Sequence, residues 1–235
     1  MSDQEKGPRI RTKIDRIDAE TDRIYFALTE KLRTGQMEIE RFQSEALAFF
    51  RDRVRKGCFE ELTRDAKEGE GQVFAMRRNI DDCRYSIEVY RLDAGAAVPP
   101  HCHHNVASTQ ILLEGRLHLR EYDRLGWDEQ DRLLIRKTSE RELAPGDWFQ
   151  ASEWRNNLHW FEPVAGTALI FNSNVRGYER ETFAIEAEKF GRLYVDPTTG
   201  VREDGVIACD LFDEDTANAR FAGRRMDDFT VTPSP

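Results

Sequence analysis

No uninterrupted apolar run in this 235-residue sequence approaches the roughly 18 residues needed to cross a bilayer, so no membrane-spanning helix is expected. A basic excess is missing as well. The formal net charge is −9, and the basic residues are interspersed with acidic ones. That leaves no phosphate-tracking stripe and argues against nucleic acid as a partner. Cysteine is sparse: Cys58, Cys83, Cys102 and Cys209 are scattered and form no C-x-x-C pair. The opening MSDQEKGPRIRTKIDRIDAE has no apolar core of the kind a secretory signal carries. A cytoplasmic protein with reduced thiols is therefore expected. GEGQ at 69–72 lacks the longer glycine pattern and the following Lys-Ser/Thr of a phosphate-binding loop, and reads instead as a flexible passage.

The apolar residues that are present change period along the chain. Residues 1–12 read as a disordered lead-in. Ile14, Ile17, Tyr25, Leu28 and Leu32, then Ile39, Phe42, Leu47 and Phe50, recur at helical spacing on either side of Gly35. Residues 13–70 thus form a helical N-terminal extension that could support a homodimer. From residue 71 the period shortens. CRYSIEVYRL at 83–92 alternates as a strand does, and QILLEG, RLHLREY, RLLIRKT, DWFQA, LHWFEP and TALIFNS follow between Gly, Pro and polar turns. Short strands at this spacing predict a mainly β, antiparallel sandwich or barrel over 71–180 rather than β-α units. Residues 181–235 read as a C-terminal extension on the barrel or a dimer surface, with one strand in GRLYVDP and a short helix in EDTANARFAGR.

The strongest local feature is GAAVPPHCHH at 95–104. On an extended strand His101 and His103 point to one side, where two imidazoles can grip one metal, while His104 points away. Pro99 and Pro100 restrict the approach to this strand and discourage lateral pairing there. His159 is the only histidine downstream of His118 and is the candidate third ligand.

Gly95, His101, His103 and Gly115 resemble the first motif of the cupin superfamily, G-x5-H-x-H-x4-E-x6-G, with Ser108 where the acidic ligand usually stands. The second motif is degraded. Pro145, Gly146 and Asp147 supply a turn, but Trp154, Asn156 and Pro163 replace its usual Pro, Gly and Asn around His159. HCHHNVASTQILLEGRLHLREYD and NNLHWF resemble the metal-binding strands of cysteine and cysteamine dioxygenases, over roughly residues 83–178. The resemblance implies a cupin-type antiparallel double-stranded β-helix, or jelly-roll barrel. It also implies iron(II) held by His101, His103 and His159, and oxidation of a small thiol by dioxygen to a sulfinic acid. Ser108 stands where animal cysteine dioxygenases carry a cysteine that crosslinks to tyrosine, so no crosslink is expected. Ser108 and Tyr178 are the candidate catalytic residues beside the metal. No arginine is assigned to a substrate carboxylate: Arg84 and Arg91, seven residues apart, face opposite sides of a regular strand.

Histidine alone does not select iron, because imidazole also suits zinc, nickel and copper. Glu114, Glu121 and Glu162 lie near enough in sequence to offer a base for zinc-type chemistry. A small-molecule-binding cupin without activity is the non-enzymatic alternative. Trp148, Trp154, Trp160 and Phe161 are expected to fill the barrel or line its mouth.

Overall fold

The computed structural model describes residues 16–69, 71–80, 83–178, 192–202, 204–221 and 223–229. The lead-in expected at 1–12 lies outside these. Three helices come first: α1 (Ala19–Arg33), α2 (Ile39–Arg55) and α3 (Glu60–Glu68). Asp18 caps α1 by accepting from the Thr21 amide, and the chain leaves its C-terminus through Gly35 at φ +69. The first two helices match the two apolar periodicities. The third, with only Leu62 and Ala66 buried, is too short to show a period.

Twelve strands follow among the described residues, and every pairing among them is antiparallel. The first five are β1 (Gln72–Ile80), β2 (Cys83–Leu92), β3 (Val98–His103), β4 (Val106–Glu114) and β5 (Leu117–Trp127). Next come β6 (Leu133–Leu143), β7 (Trp148–Ala151), β8 (Leu158–Pro163) and β9 (Ala168–Arg176). The last three are β10 (Arg192–Val195), β11 (Val206–Cys209) and β12 (Leu211–Phe212), before α4 (Glu214–Phe221). Strand order is β1-β2-β9-β4-β7 in one sheet and β11-β6-β5-β8-β3-β10-β12 in the other. The two sheets enclose one cavity. This is the cupin-type jelly roll with N-terminal helices that the motif implied. The C-terminal region does more than cover it: β10 extends the sheet beside β3, and β11 extends it beside β6.

Alternation along β2 explains how the layers form. Tyr85, Ile87 and Val89 face the helices and join Tyr25, Phe42, Phe50, Phe59 and Leu62 in an apolar layer with Phe171 of β9. The rings of Phe50 and Phe59 stand 4.9 and 4.7 Å from that of Phe171. Arg84, Ser86, Glu88 and Tyr90 point the other way and line the cavity. One face of this sheet is therefore a core and the opposite face a polar wall. On the outer face of the other sheet, Trp160 packs with Phe221 and Phe229 at 5.3 and 5.2 Å. Of the four aromatics expected inside or at the mouth, the cavity lining includes only Phe161.

The turn between β4 and β5 rests on Gly115, at φ +86. A Cβ there would sit 2.4 Å from the Thr167 carbonyl oxygen. Gly115→Ala is expected to lower stability by about 1–3 kcal/mol from backbone strain alone, with the displaced backbone at Thr167 adding to it. A urea midpoint equal to that of the parent protein would overturn this account.

Candidate metal centre

β3 presents His101 and His103, and β8 presents His159 directly opposite His101 in the register. Between Val98, opposite Phe161, and His101, opposite His159, β3 carries one residue more than β8. This bulge falls at Pro99–Pro100, where proline has no amide to give the ladder. It reverses the alternation, so that Val98, His101 and His103 all line the cavity. The Pro99 carbonyl it frees accepts from His101 Nδ1 at 2.8 Å. That bond sets the tautomer and leaves the lone pair of His101 on Nε2.

The three imidazoles offer ligand atoms that all lie within 4.8 Å of one another. Their ring centroids are 4.4 Å apart for His101 and His159, 4.8 Å for His101 and His103, and 5.3 Å for His103 and His159. Burial pushes His101 and His103 well below the usual histidine range, and the charges of His159 and Arg192 add to the effect. His159 falls to about 3, again through burial first and Arg192 second. All three are neutral at physiological pH, which is the form that binds metal. The Nδ1 of His159 is buried with no hydrogen-bond partner among the described residues. Three converging neutral nitrogens fit a first-row divalent cation, and such a donor set leaves coordination positions for other ligands.

The loop between β7 and β8 holds this strand pair in place. Asn157, fully buried, accepts from the His103 amide at 3.0 Å. Its side-chain amide donates to the His103 and Ser152 carbonyls at 2.9 and 2.6 Å. Asn156 before it adopts φ +47, a left-handed conformation that asparagine tolerates. Its position in the degraded motif, where glycine is usual, is the available clue. His104 points away from the cavity and meets Glu153 at 3.1 Å.

Ser108 lines the same cavity from β4, its hydroxyl buried and unpartnered among the described residues. Tyr178 does not join it. Strand β9 ends at Arg176 and Gly177 turns the chain at φ +72, so the Tyr178 ring packs in the apolar layer with the helices. The three glutamates are engaged elsewhere. Glu114 pairs with Lys67, Glu121 accepts from Ser139 and Arg141, and Glu162 accepts from the Met226 amide. None of them lines the cavity.

The cavity has a volume of about 1520 Å³. Its five-stranded wall is built in rows set by register: Arg84 opposite Arg176, then Ser86, Asn174 and Ser108, then Glu88, Asn172 and Gln110. Glu88 accepts from Gln72 and Asn172, each at 2.7 Å, and Tyr90 donates to Gln110 at 2.6 Å. This polar wall is the feature that sequence reasoning missed.

No protein-family model and no curated protein matches the sequence. Among solved structures, an oxalate oxidase in complex with glycolate is 17% identical over 43% of this chain and 46% of that chain, with a TM-score of 0.31. Less than half of that oxidase is thus covered. TT1209 from Thermus thermophilus is 18% identical over 50% of this chain and 93% of that chain, with a TM-score of 0.35. The Schizosaccharomyces pombe Cnp3 cupin domain is 12% identical over 51% of this chain and 67% of that chain, with a TM-score of 0.32. Likenesses this distant carry no argument about activity. The jelly roll stands on its own strand order and register.

Proposed function

We propose that this chain is a metal-dependent oxidoreductase in which His101, His103 and His159 hold iron(II), and that it oxidises a small thiol with dioxygen to the sulfinic acid, RSH + O₂ → RSO₂H. One observation carries the metal reading: three neutral imidazoles converge without a carboxylate on the wall of a large polar cavity. The thiol is favoured by the motif resemblance around His101–His103 and His159. Iron, when bound, would supply the redox step that lets triplet dioxygen react with a closed-shell thiolate, and would acidify the thiol.

The chain's own residues have three tasks. The Pro99 carbonyl orients His101, and Asn157 holds the backbone of His103, so the site is preorganised. Phe161 and Val98 give the cavity an apolar surface beside the histidines. Ser108 offers its unpartnered hydroxyl to a polar atom of the substrate. Ser108→Ala is expected to lower turnover about tenfold, the loss of one hydrogen bond of about 1.4 kcal/mol, with metal content unchanged.

The test begins with elemental analysis of protein purified anaerobically with competing metals supplied. Near-stoichiometric iron and thiol-dependent oxygen uptake, one O₂ per thiol, are expected. Full metal occupancy retained by His101→Ala, His103→Ala and His159→Ala would sink the triad. An iron-loaded protein that consumes no oxygen with cysteine, cysteamine and related thiols would remove the thiol. Zinc, nickel or copper at stoichiometry would transfer the reading to those metals, and no metal at all to a binding cupin.

A further inference from the structure

Although the chain is net negative, the described residues that line its cavity include six arginines and two acidic residues, Glu88 and Asp93. Two of the arginines are neutralised at the rim: Arg78 pairs with Asp22 at 3.0 Å, and Arg91 with Asp93 at 3.0 Å. The other four, Arg77, Arg84, Arg176 and Arg192, have no carboxylate within ion-pair distance among the described residues. Glu88 lies on the same wall but is held by the amides of Gln72, Asn172 and Asn174.

The fold forces these four charges together. Arg84 and Arg176 are direct cross-strand partners, a like-charge pairing that costs stability. A bulge in β1 between Phe74 and Met76 puts Phe74 and Arg77 on the same inward face, with the guanidinium 3.5 Å from the ring centroid. Arg192, on β10, is the register partner of His103. Burial and the charges of Arg192, Arg77 and Arg84 hold the Arg176 guanidinium below its ordinary value, against the pull of Glu88. The charge of Arg192 is felt by all three histidines. An unneutralised cluster of this kind is unfavourable in the empty protein and favourable once an anion enters it.

We propose that Arg77, Arg84, Arg176 and Arg192 form a subsite for a dianionic phosphoryl group, and that the substrate is a phosphorylated small molecule whose reacting end lies at the three histidines. Four planar donors opening onto one cavity, three of them within electrostatic reach of the fourth, Arg176, match the three oxygens and double charge of a phosphate ester; a single carboxylate would leave most of the cluster unneutralised. The cavity volume accommodates a molecule well beyond the size of cysteine. The placement of the reacting end rests on the metal reading above; the anion subsite does not.

Calorimetric titration of the full chain, stripped of metal by chelation, with inorganic phosphate at constant ionic strength tests this. Saturable binding is expected, with chloride giving none. Arg84→Gln and Arg176→Gln should each weaken phosphate at least tenfold. Both variants should also melt at a higher temperature than the parent protein without phosphate, because repulsion is relieved; this shows that they fold. Phosphate no better than chloride, or phosphate bound equally by both variants, would overturn the subsite. Succinate binding as tightly as phosphate would overturn the phosphoryl assignment. Since no metal is present, failure of the iron reading leaves these outcomes untouched, and phosphate binding says nothing in favour of iron.

Discussion

Below about pH 6.5 the metal-free protein is expected to lose stability steadily as the pH falls. His101 and His159 are 1% and 2% exposed, and both stay neutral in the folded state because burial withholds water from the imidazolium. In the unfolded chain they titrate near the ordinary histidine value of 6.5. A histidine whose folded pKa is depressed binds its proton first in the unfolded state, so acid favours unfolding. The effect opens as the pH drops through 6.5 and, for His159, closes near 3. Within that window each such histidine removes about 1.4 kcal/mol per pH unit. Two units of acidification therefore cost about 3 kcal/mol from His159 alone, a large share of the stability of an ordinary domain. His103 is held well below the usual histidine range by the same burial and adds to the slope. Urea unfolding at a series of pH values measures the slope, and His159→Gln should reduce it. A stability that stays flat from about pH 6.5 to about pH 4.5 would show that these histidines are not buried neutral.

Glu153→Ala is expected to destabilise the fold by about 3–5 kcal/mol, the cost of breaking a buried ion pair from one side. Glu153, on the loop between β7 and β8, accepts from Arg124 at 2.8 Å, from His104 at 3.1 Å and from the Asn105 amide at 2.6 Å. Arg124 and Glu153 side chains are 1% and 4% exposed. Removing the carboxylate takes a counter-ion from the buried guanidinium where it stacks against Trp127 and Trp154. The damage would reach the histidines, because Asn105 turns the chain at φ +50 two residues after His103. Glu153→Gln keeps an acceptor for the Asn105 amide and should cost less. An alanine variant within about 1 kcal/mol of the parent protein would make this pair a solvated surface contact.

Much of this was legible in the order of residues, and the misses have definite causes. CRYSIEVYRL became β2 with no change of boundary, because strict alternation between a helix-facing and a cavity-facing set leaves one register. β1, reading QVFAMRRNI, escaped notice because its bulge breaks that alternation, burying Ala75 and Met76 in succession. Arg84 and Arg91 both border the cavity, the first as the register partner of Arg176 and the second also donating to the Lys67 carbonyl, although opposite facing on a regular strand was anticipated. Their significance was not, since Arg176 and Arg192 come from strands far along the chain.

The sequence by itself determined the chemistry of single strands: two histidines two residues apart, a following serine in place of the acidic ligand, and the left-handed glycine that closes the next turn. Each is a local property, governed by side-chain alternation and backbone sterics. Tertiary structure decided everything that depends on two strands meeting. It chose His159 as the neighbour of His101 through a bulge at two prolines, sent Tyr178 into the helical layer, and buried Glu153 against Arg124. It also gathered four like charges in one cavity. Nothing local favours that arrangement; only strand register, enforced by the apolar layer on the other face, outweighs the repulsion.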